Sequence, residues 1–497
     1  MIGRVELGEL AKTHRLVPIT RTLFADEETP VGVYRKLAGD RPDTFLLESA
    51  EPGASFSRWS FIGVRAAAAL SADGDSGVWS GTVPAGLPRT GNPLQILAAS
   101  IRALRGPRLP DLPPLTGGLV GYLSYDVVRR LEVLPTIAPD ELGLPELRML
   151  LVTDLAAVDH DTASITLVAN AVVDPDMDAA ALDAAYGDAE DRLDAMTADL
   201  GASSPSTVVP ARAVGPKTAV SRTPPGDYER AVERSLSAIR AGEVFQILPG
   251  QRFVAETSAA AFDVYRALRT LNPSPYLYFL HFDRFDIVGS SPEALVTVAD
   301  GRATIHPLAG TRPRGHDAVE DAALVAELLA DPKERAEHVM LVDLARNDLG
   351  RVCAAGSVRV EEFGVVERYS HVWHIVSTVS GEVAADRDAF DVFAAAFPHG
   401  TVSGAPKVRA MELLEELEPV RRGIYAGAIG YFDSAGDMDL AIAIRTAVMT
   451  GGRAYVQASA GIVADSVPAA EEQETRNKAR AVLQAIATAE TLRPGRP

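Results

Sequence analysis

Short β-rich runs in this chain follow one another without a helix between them, and that ordering constrains the fold more than any other feature. Residues 148–158 and 164–173 are parted only by a polar segment holding His160, Asp161 and Thr162, the spacing of a hairpin. The same succession recurs at 276–282, 287–290 and 294–298, and again at 424–433, 438–449 and 454–458. Helical segments are grouped instead. An amphipathic helix opens at Asp227, read as its cap, with Tyr228, Ala231, Val232, Ser235 and Ile239 on one face. Residues 318–330 and 332–347 form two adjoining helices, with Asp331 and Pro332 as a cap and first-turn signal. Further helices are expected at 178–200, 407–417 and 470–492. A doubly wound sheet alternates strands and helices one by one, so this order predicts an α+β sheet architecture.

At 497 residues the chain exceeds the size at which one core usually stops growing, so two units or intertwined halves are expected. The clearest break is 201–226, where Pro, Ser, Gly and Ala dominate and apolar periodicity disappears. It reads as a linker or crossing segment between an N-terminal region, 1–200, and a second part, 227–497. The net charge of −19 repels phosphate backbones and argues against nucleic acid as a partner. An acidic protein that handles an anionic substrate has to gather positive charge locally or use a metal ion. One cysteine, Cys353, allows no disulfide within the chain, and no apolar run approaches a membrane span. The N-terminus lacks the apolar stretch of a signal peptide, so a cytoplasmic, non-membrane protein is expected.

Two carboxylate pairs can carry chemistry. Glu334 and Glu337 are three apart on one expected helix; Glu471 and Glu474 are three apart on another, with Lys478 four further on. Each spacing puts both carboxylates on one helical face. Two such faces meeting at one spot make an oxygen-only site suited to Mg2+. Taken alone, a helical E-x-x-E is solvated surface in roughly nine cases of ten. The loop 398–407, PHGTVSGAPK, can turn backbone N–H groups toward an anion, although a tight turn is the commoner use. The loop 308–315, LAGTRPRG, reads equally as a carboxylate site or a basic turn. In YSHVWH, His371 and His374 are three apart in a strand and face opposite ways, so at most one faces a site. Cys353 lies beside Val352 and small alanines and reads as packing, not as the exposed nucleophile that glutamine hydrolysis requires.

Read together, the segments LLES (46–49), RWSFIG (58–63), GGLVGYLSYD (117–126), GEVFQIL (242–248), NPSPYLYFL (272–280) and GSSPEALV (289–296) form a recognisable series. It continues through PLAGTRPRG (307–315), the run 334–352, ERYSHVWHIVS (367–377), PHGTVSGAPK, AIAIRT (441–446) and QETRNKARAVL (473–483). This series resembles the chorismate-utilising enzyme family, and most of all its anthranilate-forming branch. The resemblance implies two large packed antiparallel β-sheets with helices on the outside. It implies a carbon–oxygen lyase that aminates chorismate at C2 with loss of the C4 hydroxyl, then eliminates pyruvate to leave anthranilate, the first committed step toward tryptophan.

The roles that follow from the resemblance are specific. Glu334, Glu337, Glu471 and Glu474 hold Mg2+ against the ring carboxylate. Gly310, Thr311, Thr401, Tyr425, Arg445, Lys478 and the stretch Ser459, Ala460, Gly461 hold the substrate's carboxylates. Glu293 is the general acid for the departing hydroxyl, which requires its pKa to be raised. His374 serves the second stage, and Thr401 counts among the catalytic residues. Glu48, Ser49, Asn272, Pro273, Tyr276, Leu277 and Tyr278 match a feedback site for tryptophan, with Glu48 on its amino group. Ammonia is expected from a separate glutamine amidotransferase subunit.

Two positions discriminate within the family. Relatives that attack with water carry lysine where this chain has Gln246. Relatives that make 4-amino-4-deoxychorismate carry a nucleophilic lysine where it has Ala309. A release of 2-amino-2-deoxyisochorismate is a within-family alternative, and a non-catalytic tryptophan-binding subunit is one from another class. The chain departs from the family at Ser459, usually glycine, at His306, often arginine, and at Pro249 and Gly250. The Ser459 hydroxyl either crowds the substrate carboxylate or donates to it.

Overall fold

The computed structural model describes residues 2–49, 58–205, 207–210, 212–368 and 372–492. The β-rich runs pair as the spacing predicts. Leu147–Asp159 and Ser164–Val172 form the expected hairpin, in register from Asp154 opposite Ala169 to Asp159 opposite Ser164. Among the described residues, twenty strands join one continuous hydrogen-bonded network of antiparallel ladders. The two sheets implied by the resemblance are therefore the two layers of one network.

The network doubles over on itself. Tyr122, on the strand Gly118–Leu123, is four ladder steps from the strand Tyr276–His281. In a flat sheet those strands would be ~19 Å apart. Yet the Tyr122 ring lies 5.8 Å from the Phe282 ring that follows the second strand. The space between the layers is filled by Phe45, Phe61, Tyr122, Tyr278, Ile287 and their neighbours. Helices cover both outer faces, each over its own apolar cluster. Among the described residues no helix is long and apolar enough to cross a membrane.

Strands from before residue 200 form one block set between two groups of later strands. Thr44–Glu48 pairs with Trp59–Asp73 on one side and Tyr276–His281 on the other, and Gly118–Leu123 pairs with Ala428–Asp433. The expected crossing segment is only partly irregular. The helix Ala179–Gly201 runs into it, and Val220–Ser221 pairs with the strand Gly250–Glu256. Two expected helix caps have different outcomes. Asp331 caps the helix Pro332–Gly350 as read, its carboxylate accepting from the Lys333 and Glu334 N–H groups. Asp227 does not cap its helix. Gly226, with φ +82°, takes the cap, and Asp227 is the first helical residue, where its carboxylate pairs with Arg230.

Candidate active site

The helices Pro332–Gly350 and Pro468–Ala489 meet across a cavity of about 540 Å³. On the first, Glu334, Glu337 and Leu341 recur at three and four residues and line its wall; on the second, Glu471, Glu474 and Lys478 do the same. All four glutamates thus border one space. Burial raises the pKa of Glu337, opposed by a 2.8 Å hydrogen bond from the Gln246 amide and reinforced by the charge of Glu334. Burial likewise raises Glu471, reinforced by Glu474. Among the described residues no three acidic, histidine or cysteine side chains are already gathered closely enough to hold an ion. A wall of carboxylates in which Glu334 adds to the rise at Glu337, and Glu474 to that at Glu471, fits a hard divalent cation such as Mg2+, since a counter-charge relieves that repulsion. Gly310 keeps this wall open. Its φ is +69°, and a Cβ there would sit 3.3 Å from a Glu334 carboxylate oxygen.

Beside the helix that carries Glu471 and Glu474, Arg445 is half-buried and has a backbone φ of +52°, a conformation rare for any residue but glycine. Among the described residues its guanidinium makes one hydrogen bond, to the Lys478 carbonyl at 3.2 Å, and no ion pair. A half-buried guanidinium that feels the charge of Glu474 but forms no ion pair is suited to receive a carboxylate. Lys478 pairs with Glu474 at 2.7 Å and donates to the Ser459 carbonyl at 3.0 Å. Ser459 does line the cavity, but its hydroxyl is engaged by the Tyr425 hydroxyl at 2.7 Å. Gly461 also lines it. Ala460 does not: its methyl is buried in an apolar cluster with Val232, Ile247 and Leu414, because alternate residues of an extended segment face opposite ways. Thr311 lies opposite His374 in the ladder.

Glu293 is 6% exposed and faces the same space. Burial pushes its carboxyl up to about 8, against the opposing pull of the Thr401 hydroxyl and the Lys478 charge. Thr401 Oγ1 lies 3.1 Å from both carboxyl oxygens. This acid holds its proton at neutral pH. His374 lines the cavity and is the opposite case: burial lowers it to about 4. Its Nδ1 contacts the Gly310 carbonyl at 2.9 Å, and a carbonyl only accepts, so Nδ1 carries the hydrogen and Nε2 the lone pair. His371 lies outside the described residues.

A second, more apolar cavity of about 230 Å³ is bordered by Glu48, Ser49, Tyr276, Leu277 and Tyr278, together with Trp59, Phe61 and Tyr431. Asn272 and Pro273, expected beside them, line a neighbouring cavity that adjoins the active site at His374 and Arg445. The helix ending at Leu271 turns there, and the Asn272 amide donates to Ser290. Glu48 is already held by Arg269 through both carboxylate oxygens and by the Tyr265 hydroxyl. Asp439, missed in the sequence, borders this cavity with Oδ1 buried and without a hydrogen-bond partner.

The basic loop resolves differently from either reading. Leu308–Pro313 is a strand, Arg312 pairs with Glu327, Asp331 and Glu334, and Arg314 pairs with Asp321. Both arginines are spent on the protein's own carboxylates. Cys353 is buried, and burial raises its thiol pKa, as packing requires. The sequence reading also overlooked His399, whose Nδ1 lies 2.7 Å from Thr401 Oγ1, and the buried pair Arg422–Glu418 beneath the site.

Residues 43–484 match the family model described as chorismate binding enzyme. The chain is 55% identical to anthranilate synthase component 1 of Mycolicibacterium smegmatis, over 99% of this chain and 94% of that one. It is 56% identical to the Mycobacterium tuberculosis protein of the same name, over 99% and 96%. Among solved structures it resembles anthranilate synthase component I of Streptococcus pneumoniae, with a TM-score of 0.74 and 35% identity over 93% of this chain and 99% of that one. The fold alone is shared with the menaquinone-specific isochorismate synthase of Escherichia coli, at a TM-score of 0.69, 18% identity and 97% coverage of both chains. With a family match across most of its length and relatives more than half identical over nearly all of it, the chain belongs to the chorismate binding enzyme family.

Proposed function

We propose that the chain is the chorismate-aminating subunit of an anthranilate synthase. The observation that carries this reading is the meeting, in one cavity, of four helical glutamates, a proton-bearing Glu293 and Arg445, which forms no ion pair. Such a space suits a small dianion with a leaving hydroxyl. Arg445 and Lys478 hold its carboxylates, and Glu334, Glu337, Glu471 and Glu474 hold Mg2+. Bound there, Mg2+ neutralises the glutamates and anchors the ring carboxylate.

Ammonia attacks C2, the ring double bonds shift, and the C4–O bond breaks. Glu293 gives its proton to that oxygen, which leaves as water, and the new amine sheds one proton. In the second stage the C2 hydrogen leaves as a proton and the C3–O bond breaks, releasing the aromatic ring and the enolate of pyruvate, which takes up one proton at its methylene carbon to become pyruvate. His374, neutral with its lone pair on Nε2, takes the C2 proton in this reading.

Gln246 supports ammonia over water as nucleophile. It is uncharged, and its amide is tied to Glu337, so it cannot act as a base. The buried Cys353 supports an external source of ammonia, a glutamine amidotransferase subunit. The apolar cavity with Glu48 and Asp439 at its edge suits tryptophan, an indole bearing an ammonium, as a feedback inhibitor.

The test is direct. Purified chain with chorismate, ammonium and Mg2+ should form fluorescent anthranilate, and glutamine in place of ammonium should give none. Isochorismate or salicylate as product would overturn the reading of Gln246, and 2-amino-2-deoxyisochorismate would remove the second stage. Glu334→Gln should abolish the Mg2+-dependent rate; an unchanged rate would place Glu334 outside the site.

A further inference from the structure

Thr401 has one hydroxyl hydrogen and three acceptors around it. Its Oγ1 is 2.7 Å from His399 Nδ1 and 3.1 Å from each Glu293 carboxyl oxygen. His399 caps the turn Gly400–Ser403, and its Nδ1 also accepts the Thr401 backbone N–H at 3.3 Å. A ring nitrogen that accepts an N–H carries a lone pair and no hydrogen. The short contact with Thr401 must therefore be bridged by the threonine's own hydrogen. Thr401 then shows only lone pairs to Glu293. Oxygens facing each other in that way repel, unless the carboxyl contributes a proton. The arrangement that keeps the Nδ1 cap is a chain: one Glu293 oxygen carries a proton and donates to Thr401 Oγ1, and Thr401 donates to His399 Nδ1.

We infer that His399 is a positioning residue for the amination proposed above, holding Glu293 in its proton-bearing form through the hydroxyl of Thr401. The inference rests on that reading of the reaction. His399 is itself buried and only 3.6 Å from Glu293 at the nearest approach, so no solvent shell competes with the chain of bonds. The charged groups around it are Lys407, which is paired with Asp348, and Lys478, which favours the ionised form of Glu293. Burial and Lys407 lower the imidazole pKa to about 3, which keeps the ring neutral throughout the working range, and the accepted Thr401 N–H puts its lone pair on Nδ1. When Glu293 has released its proton, Thr401 can turn its hydrogen from His399 to the new carboxylate. His399 keeps the backbone N–H, so no polar group is orphaned in either state.

The experiment compares wild type, His399→Leu and His399→Asn with chorismate, ammonium and Mg2+, reading anthranilate fluorescence across the alkaline range. The ratio of variant to wild-type kcat/KM at each pH cancels the change in free ammonia. In His399→Leu the threonine hydrogen turns permanently to Glu293 and favours the carboxylate. The alkaline loss of activity should then move down by about one pH unit. Asparagine restores a capping acceptor and should return the loss toward its wild-type position. His399→Met serves as the apolar replacement if the leucine variant does not fold. An alkaline limb left in place by the apolar variant, or left displaced by His399→Asn, overturns the inference even if the overall rate falls. Failure of the wild type to form anthranilate would instead overturn the function on which it rests.

Discussion

Glu418→Leu should destabilise the chain and loosen the active site together, because one buried ion pair holds three parts of the cavity wall. Arg422 is 3% exposed and Glu418 7%. The guanidinium donates to both Glu418 oxygens, to the Val402 carbonyl at 2.5 Å and to the Leu248 carbonyl at 2.7 Å. It lies 5.9 Å from the centre of the Tyr425 ring, and Glu418 also accepts the Gly250 N–H at 2.7 Å. Val402, Leu248 and Tyr425 all line the site. Removing Glu418 leaves a buried, uncompensated cation, worth about 3–5 kcal/mol. At ~2.1 cal/mol/K of unfolding entropy per residue, a chain of 497 residues loses ~1 kcal/mol per degree, so the apparent thermal midpoint should fall by about 3–5 °C. Glu418→Leu combined with Arg422→Met replaces both charges and should lose less than the two single variants added together. The coupling should be at least ~2 kcal/mol in urea unfolding at fixed pH. KM for chorismate should rise in Glu418→Leu and partly recover in the double variant. Strict additivity, or a single-variant loss below ~1 kcal/mol, would refute the account of the pair.

Gly310→Ala forces an alanine into a left-handed conformation beside Glu334, and the Mg2+ concentration for half-maximal activity should rise about tenfold; an unchanged Mg2+ titration would separate Gly310 from the acidic wall. Glu293 binds its proton more tightly folded than unfolded, since burial pushes it from 4.5 to about 8. Its contribution is therefore fully present below about pH 4.5 and lost as pH rises through about 8. Glu293→Gln should flatten the decline in urea stability between pH 5 and 8, and equal slopes in the two proteins would contradict the burial argument. Asp439→Asn removes the negative charge whose Oδ1 borders the apolar cavity and should raise the tryptophan concentration for half-inhibition of anthranilate formation about tenfold. Unchanged inhibition would assign the ammonium contact elsewhere.

Local signals in the sequence carried the helices and the pairing of carboxylates upon them. Glu334 with Glu337, and Glu471 with Glu474, could be placed on common faces because helical geometry is set within one turn. The cap at Asp331 was legible for the same reason. What escaped was fixed by partners far away in sequence. Arg312 and Arg314 looked available for a ligand until the helices bearing Glu327, Asp331 and Asp321 packed beside them. Arg422 gave no sign of joining the 248 and 402 segments. His399 stood in a loop recognised for its glycines, and its importance depends on Glu293, more than a hundred positions earlier. Ala460 was grouped with its neighbours as a substrate contact, although the extended backbone turns it inward.

The insertion of the early strands between two groups of late ones has a practical corollary for anyone wishing to isolate the catalytic half. Cutting the chain near residue 226 would strip Thr44–Glu48 from Tyr276–His281 and Gly118–Leu123 from Ala428–Asp433. Each severed ladder would bare a long, apolar edge able to recruit the same edge of another molecule. Such a fragment should come out of the cell as aggregate, and coexpression with residues 1–200 should be what restores it to solution.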